Sequence, residues 1–322
     1  MLRRRLTYRP GSHFSHPAVI FGNAFGDHLL VLPALRALAA LFPGRLSLIC
    51  MPGMRRRFFS DVPLRSVCEV EMGPRGGRRR FDSTALARRI GKCDLFLSLN
   101  PWTSPSLDRL VTLLCPALSI GLSPAFQVVL RHTPRQHVTE LAFSVAAYLN
   151  PSLQLDDFAF PARLPPRVGR RIRQFLRIVA PGKRVLAIHN ETKQEKTWPV
   201  DSLSSFVTEF LERHPDFVIF ILDCWKPEIE DQKFKHRIIH SRALPLPYAF
   251  AVLRESDLFL GADSSMLHAA DQFRVPGVGL FAPTDPALWG FRFSPHRHIR
   301  DHRGMKYIRE AAVLRAIESL LN

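Results

Sequence analysis

The chain has no stretch approaching the ~18 consecutive apolar residues of a membrane-spanning helix. Its longest apolar run, VTLLCPALSIGL, is interrupted by Pro116. The basic opening MLRRRLTYRPGSHFSHP has no apolar core behind it, so it does not read as a signal peptide. Cys50, Cys68, Cys93, Cys115 and Cys224 include no CxxC pair, and their number is odd. This excludes a zinc-knuckle spacing and a disulfide framework, and predicts buried free thiols in a reducing compartment. Acidic residues are few: 28 Asp and Glu against 45 Lys and Arg leave a net charge of +17. No zinc-finger, RNP or basic-helix pattern accompanies that excess, so specific nucleic-acid recognition is not expected. A surface of this sign attracts other polyanions, such as acidic lipid headgroups and phosphorylated glycans. Short repeats and low-complexity tracts are also missing.

What is present is an alternation of short apolar runs and helical periodicity. PAVIFG (17–22), RLSLICM (45–51), SVCEVEM (66–72), DLFLSLN (94–100) and ALSIGL (117–122) read as strands, with helices between them. The proline-rich stretch 150–170 reads as a linker. A second alternation follows, through RVLAIHN (184–190), DFVIFILDC (216–224), HRIIHS (236–241), DLFLGAD (257–263) and PGVGLF (276–281), closed by a helix near 306–321. The expectation is α/β, with one domain over 1–160 and another over 161–322. The closing helix is free to pack back on the first. In such sheets ligands bind beyond the carboxyl ends of strands.

The chemistry-bearing residues cluster at those ends. After the first strand, GNAFGDHLL puts Asp27 at a helix start, either as an N-cap or as a general base. Gly22 and Gly26 lack the third glycine of a dinucleotide fingerprint. The segment HNETKQEKTWP (189–199) gathers Thr192 and Lys196 in a loop that can hold phosphate. GADSSMLH (261–268) suggests at first a Ser/His/Asp hydrolase. However, the nucleophile elbow Gly-x-Ser-x-Gly is missing, and all three side chains share one helix start. Ser264 and Ser265 at a helix N-terminus suit an anion, with Asp263 and His268 beside them. Asp263 as N-cap and His268 as a core-edge residue remain the alternative. Thr284 and Asp285 follow between two prolines. No DxD pair follows a strand, so metal dependence is not expected.

In order and spacing, FGDHLLVLPALRAL, HNETKQEKTWP and GADSSMLHAADQFRVPGVGLFAPTDP resemble the ADP-heptose:lipopolysaccharide heptosyltransferases of glycosyltransferase family 9. The resemblance implies a GT-B fold: two Rossmann-like, doubly wound domains facing a central cleft. The first would take the acceptor and the second the nucleotide sugar. It implies Asp27 as general base and Lys196 and Thr192 at the donor diphosphate. Asp263 would bind sugar hydroxyls, Ser264 and Ser265 would cradle phosphate with His268 in support, and Thr284 would sit in the turn that follows. Glu228 would reach the ribose, and Arg78, Arg79 and Arg80 would face an acidic acceptor. Family members usually carry Gly where Ser265 stands. The implied reaction is inverting and metal-independent, with ADP-heptose as donor and no cofactor. The implied partners are an acidic glycolipid and an anionic membrane surface, met by a monomer at the cytoplasmic face. Another nucleotide sugar, or a non-catalytic homologue, remains open.

Overall fold

The computed structural model describes residues 14–23, 25–75, 78–222, 233–241 and 243–321. It divides into two compact units, Met1–Phe160 and Pro161–Asn322.

The first unit carries strands β1 (Pro17–Phe21), β2 (Ser47–Cys50), β3 (Ser66–Glu69), the hairpin β4 (Gly73–Arg75) and β5 (Arg78–Arg80), then β6 (Leu95–Ser98), β7 (Leu118–Gly121) and β8 (Val128–Val129). Apart from the antiparallel hairpin, they form one parallel sheet of order β3-β2-β1-β6-β7-β8. β1 and β6 are buried at every position, as central parallel strands covered on both faces must be. The strand order reverses direction between β1 and β6, which puts the crevice of a doubly wound sheet beyond their carboxyl ends. There Asn100 accepts from the Gly22 N–H at 2.8 Å and holds the turn leaving β1.

The second unit repeats the plan with β9 (Arg184–His189), β10 (Phe217–Ile221), β11 (Ile238–His240), β12 (Leu258–Ala262), β13 (Gly277–Phe281) and β14 (His296–Arg300). They form a parallel sheet of order β11-β10-β9-β12-β13-β14. Its core holds Trp198, Phe206, Phe210 and Phe217, all fully buried. Burying an indole of this size contributes about 5 kcal/mol of transfer free energy before entropy is counted. Gly261 of β12 sits opposite His189 of β9. A Cβ at Gly261 would come within 2.7 Å of the His189 carbonyl, so only glycine allows that approach.

Several elements depart from the sequence reading. The stretch taken as a linker contains a 3-10 turn, Leu155–Phe158, and the start of a long helix, Pro166–Val179. The helix Pro105–Leu114 fills the expected place between two strands, whereas edge strand β14 was not anticipated. The closing helix lies where the sequence put it, at Glu310–Glu318, with Val313, Leu314 and Ile317 in the core of the second unit. Of the cysteines, Cys50 and Cys93 are buried, whereas Cys68 is half-buried and Cys115 is exposed. Cys224 lies outside the described residues. Among the described residues no helix is long and apolar enough to cross a membrane.

One buried ion pair fastens the end of the first unit. Arg36, on the helix Leu32–Leu41, donates to Asp61 Oδ2 at 2.7 Å and to the carbonyls of Phe158 and Phe160. Its guanidinium lies 3.6 Å from the centroid of the Phe160 ring. Burial lowers its pKa and the Asp61 carboxylate opposes that shift. Arg36→Met strands a mostly buried carboxylate and two carbonyls, so it should cost about 3 kcal/mol or more in a urea unfolding curve. A second expectation concerns alkali. Burial, with Glu69 next in importance for Cys50 and Asp94 for Cys93, pushes both thiols from 9.0 up to about 12. The folded pKa exceeds the unfolded one, so this contribution is whole below pH 9.0 and is lost as the pH climbs toward 12. Unfolding midpoints should therefore fall above pH 9.0, and less steeply in a Cys50→Ala/Cys93→Ala variant.

Candidate functional site

In the second unit the strand order reverses between β9 and β12, and the expected donor residues leave the carboxyl ends of these two strands. β9 ends at His189 and runs into Asn190, which is almost fully buried. The Asn190 amide reads both polar groups of one distant residue. Its Oδ1 accepts from Trp198 N–H at 2.9 Å, and its Nδ2 donates to Trp198 O at 2.7 Å. The Trp198 indole N–H in turn donates to the Ile308 carbonyl at 3.1 Å. The loop 190–198 is thus closed at its base, and the 3-10 turn Gln194–Lys196 rides on it. Thr197 Oγ1 donates across the loop to the Lys193 carbonyl at 3.2 Å.

The fixed loop brings Lys196 to Asp263, with Nζ to Oδ2 at 2.5 Å. Asp263 follows β12 and its side chain is only 7% exposed, whereas Lys196 keeps 21%. A carboxylate so far from water needs such a partner. An ammonium has three protons, so Lys196 can satisfy Asp263 and still donate elsewhere. His268 Nε2 lies 3.9 Å from the other carboxylate oxygen.

Ser264, in extended conformation, is the N-cap of the helix Ser265–Gln272, and its side chain makes no cap bond. Its Oγ instead meets His189 Nδ1 at 3.1 Å, linking the ends of β9 and β12. Asp263 is therefore not the N-cap. Ser265 is the first helical residue and is half-buried. The leading N–H groups of a helix have no acceptor within it, and its dipole favours negative charge there. Lys196, Asp263, Ser264, Ser265 and His268 thus lie at one strand-end cluster.

Thr284 follows β13, and its Oγ1 is buried without a hydrogen-bond partner among the described residues. Its neighbour Asp285 caps the short helix Pro286–Trp289 through Ala287 N–H at 3.0 Å and lies 3.4 Å from Arg300 Nη1. Thr192 is half-buried in the 190–198 loop. Glu228 lies outside the described residues.

In the first unit Asp27 is half-buried and is the first residue of the helix Asp27–Leu30. Gly26 takes the N-cap place, so the simple cap reading of Asp27 does not hold. His28 beside it is a core residue, edge-on to Phe21 and stacked on Phe58 at 5.8 Å. Arg78, Arg79 and Arg80 form β5, and exposed Arg80 lines a cavity of about 560 Å³ with Glu71, Phe81, Asp82 and Ser106. Among the described residues no cluster of three or more His, Cys, Asp or Glu side chains is arranged to hold a metal. Sequence reasoning did not anticipate the bracing roles of His189, Asn190 and Asn100. The available signal was their place at the last position of a buried strand or just after it.

Residues 132–310 match the sequence pattern of Glycosyltransferase family 9 (heptosyltransferase), which is more than half of the 322 residues. No curated protein sequence matches the chain. Among solved structures, a glycosyl transferase family 9 protein from Veillonella parvula superposes with a TM-score of 0.73 at 16% identity, covering 95% of this chain and 97% of its own. The E. coli ADP-heptose lps heptosyltransferase II gives 0.68 at 15% identity, covering 95% and 98%. The E. coli heptosyltransferase WaaC with ADP gives 0.67 at 16%, covering 95% and 99%. At these identities the likeness speaks to fold, and the fold is the GT-B class expected from the sequence.

Thr284→Val keeps the shape of the side chain and removes a buried hydroxyl that lacks a partner. Its melting temperature should equal the parent's or exceed it by the equivalent of up to about 1 kcal/mol. A clear fall would show that the hydroxyl is already bonded.

Proposed function

The chain belongs to glycosyltransferase family 9, and from that premise we propose that it moves heptose from ADP-heptose to an acidic lipopolysaccharide-core acceptor. The acceptor sugar in this reading is Kdo or heptose, and the acceptor's lipid holds the enzyme at the cytoplasmic face of a membrane. The observation that carries the donor assignment is the Lys196–Asp263 pair beside the start of the Ser265–Gln272 helix.

The reaction is a single displacement. The acceptor hydroxyl oxygen attacks the anomeric carbon, the bond from that carbon to the diphosphate oxygen breaks, and configuration inverts. Asp27 takes the proton from the attacking hydroxyl, as a general base. The pair of electrons leaves with the nucleoside diphosphate. Lys196 and the first N–H groups of the Ser265–Gln272 helix meet the charge that builds there, as donors already in place. Asp263 has one oxygen engaged by Lys196 and a second that can accept from a sugar hydroxyl. Ser264, Ser265 and Thr284 add hydroxyl donors, Thr192 lies in the loop that carries Lys196, and His268 steadies Asp263. Neither a metal nor a cofactor has a role in this scheme. Arg78, Arg79 and Arg80 would draw in the acidic acceptor.

With ADP-heptose and Kdo₂–lipid A, release of ADP and the mass of the product report turnover. Asp27→Asn should lower kcat by about 10²–10⁴ with little change in donor KM. Lys196→Met should lower kcat by about 10²–10³. Wild-type turnover in Asp27→Asn would overturn the assignment of the base, and failure with every nucleotide sugar tried would overturn the function.

A further inference from the structure

The helix Pro166–Val179 carries a charge pattern that the transfer reaction does not use. Residues 161–183 contain seven basic and no acidic residues. Val168, Ile172 and Leu176 turn inward and are buried. Gly169 permits the close approach of Arg254, whose Nη2 a Cβ at that position would meet. Arg171 donates to Tyr248 Oη at 3.1 Å and Arg173 to Glu255 at 3.0 Å. Arg167, Arg170 and Arg177 are exposed and have no ion-pair partner among the described residues.

The same outer face also carries apolar side chains. Ile178 is 71% exposed, more than any other large hydrophobic among the described residues, and Phe175 is 39% exposed. Arg167, Arg171, Gln174 and Ile178 follow the i, i+4, i+7, i+11 spacing that aligns residues along one line of a helix. Phe175 flanks that line, its ring edge-on to Phe220 at 6.3 Å. Water is a poor environment for Ile178 and Phe175, and a phosphate-bearing surface is a good one for the arginines. A bilayer interface meets both needs at once, since acyl chains receive the apolar tips while headgroup phosphates pair with the guanidinium groups. A nucleic-acid backbone would use the arginines and leave Ile178 in water.

We infer that the outer face of the Pro166–Val179 helix docks on an anionic lipid bilayer through Arg167, Arg170 and Arg177, with Ile178 and Phe175 entering the interface. The inference deepens the proposed action on a lipid-borne acceptor, and it locates the membrane-facing surface in the second unit. Its test needs neither sugar nor acceptor, so failure of the transfer assay leaves it standing.

The experiment is co-sedimentation of the full chain with vesicles of phosphatidylglycerol and phosphatidylcholine, against phosphatidylcholine alone. Binding should require the anionic lipid and weaken with salt. An arginine near such a surface is worth about fivefold, so Arg167→Gln/Arg170→Gln/Arg177→Gln should bind about a hundredfold more weakly. Ile178→Ser should lose about tenfold. These positions are exposed, and unchanged melting temperatures will show that the variants fold. Three results would overturn the inference: equal binding to phosphatidylcholine alone, undiminished binding by both variants, or loss only in Arg55→Gln/Arg56→Gln/Arg57→Gln. A triple variant that loses duplex DNA binding while holding vesicles as before would assign the face to nucleic acid instead.

Discussion

The contact between Lys196 and Asp263 joins two connections that are far apart in sequence and adjacent in the sheet. A carboxylate that is 93% withdrawn from water would be costly alone, and the ammonium makes its burial tolerable. The loop that delivers the ammonium must therefore be held to within a fraction of an ångström. The Asn190–Trp198 closure does this, and the buried indole anchors the closure to the core of the second unit. The sheet order does the rest, because it sets the ends of β9 and β12 side by side where His189 and Ser264 can meet.

The two units share a strand plan but use it differently. In the second, the reversal point is crowded with hydroxyl, ammonium and free backbone N–H groups, an environment suited to an anion. In the first, Asn100 and the turn after β1 occupy the same topological place, followed by the half-buried carboxylate of Asp27. One arrangement gathers hydrogen-bond donors and the other presents a carboxylate, the two kinds of group on which the proposed displacement draws.

Much of this was legible in the sequence because buried parallel strands are written as unbroken apolar runs. PAVIFG, DLFLSLN, RVLAIHN and DLFLGAD each mark a central strand, and the polar residues that follow them mark the crevice. Less was legible where local signals compete. The segment PARLPPRVGR reads as a linker because of its prolines, yet Pro166 sits in the first helical turn, where a missing N–H costs nothing. β14, HRHIR, has no apolar run because it is an edge strand with one protected side. The caps were open to two readings. Asp263 and Asp27 both stand at helix starts, but Ser264 and Gly26 hold the N-cap places, leaving the carboxylates for other partners. No periodicity encodes that one-residue difference.

The pair of hydrogen bonds between the Asn190 amide and the Trp198 backbone also bears on the chemical lifetime of the protein. Asparagine ages by hydrolysis of its amide, and the product, aspartate, can accept but not donate. After that change the Trp198 carbonyl would lose its donor, and a new negative charge would stand in a site only 3% exposed. A single spontaneous covalent event would thus unfasten the loop that positions Lys196, in a molecule with its chain intact.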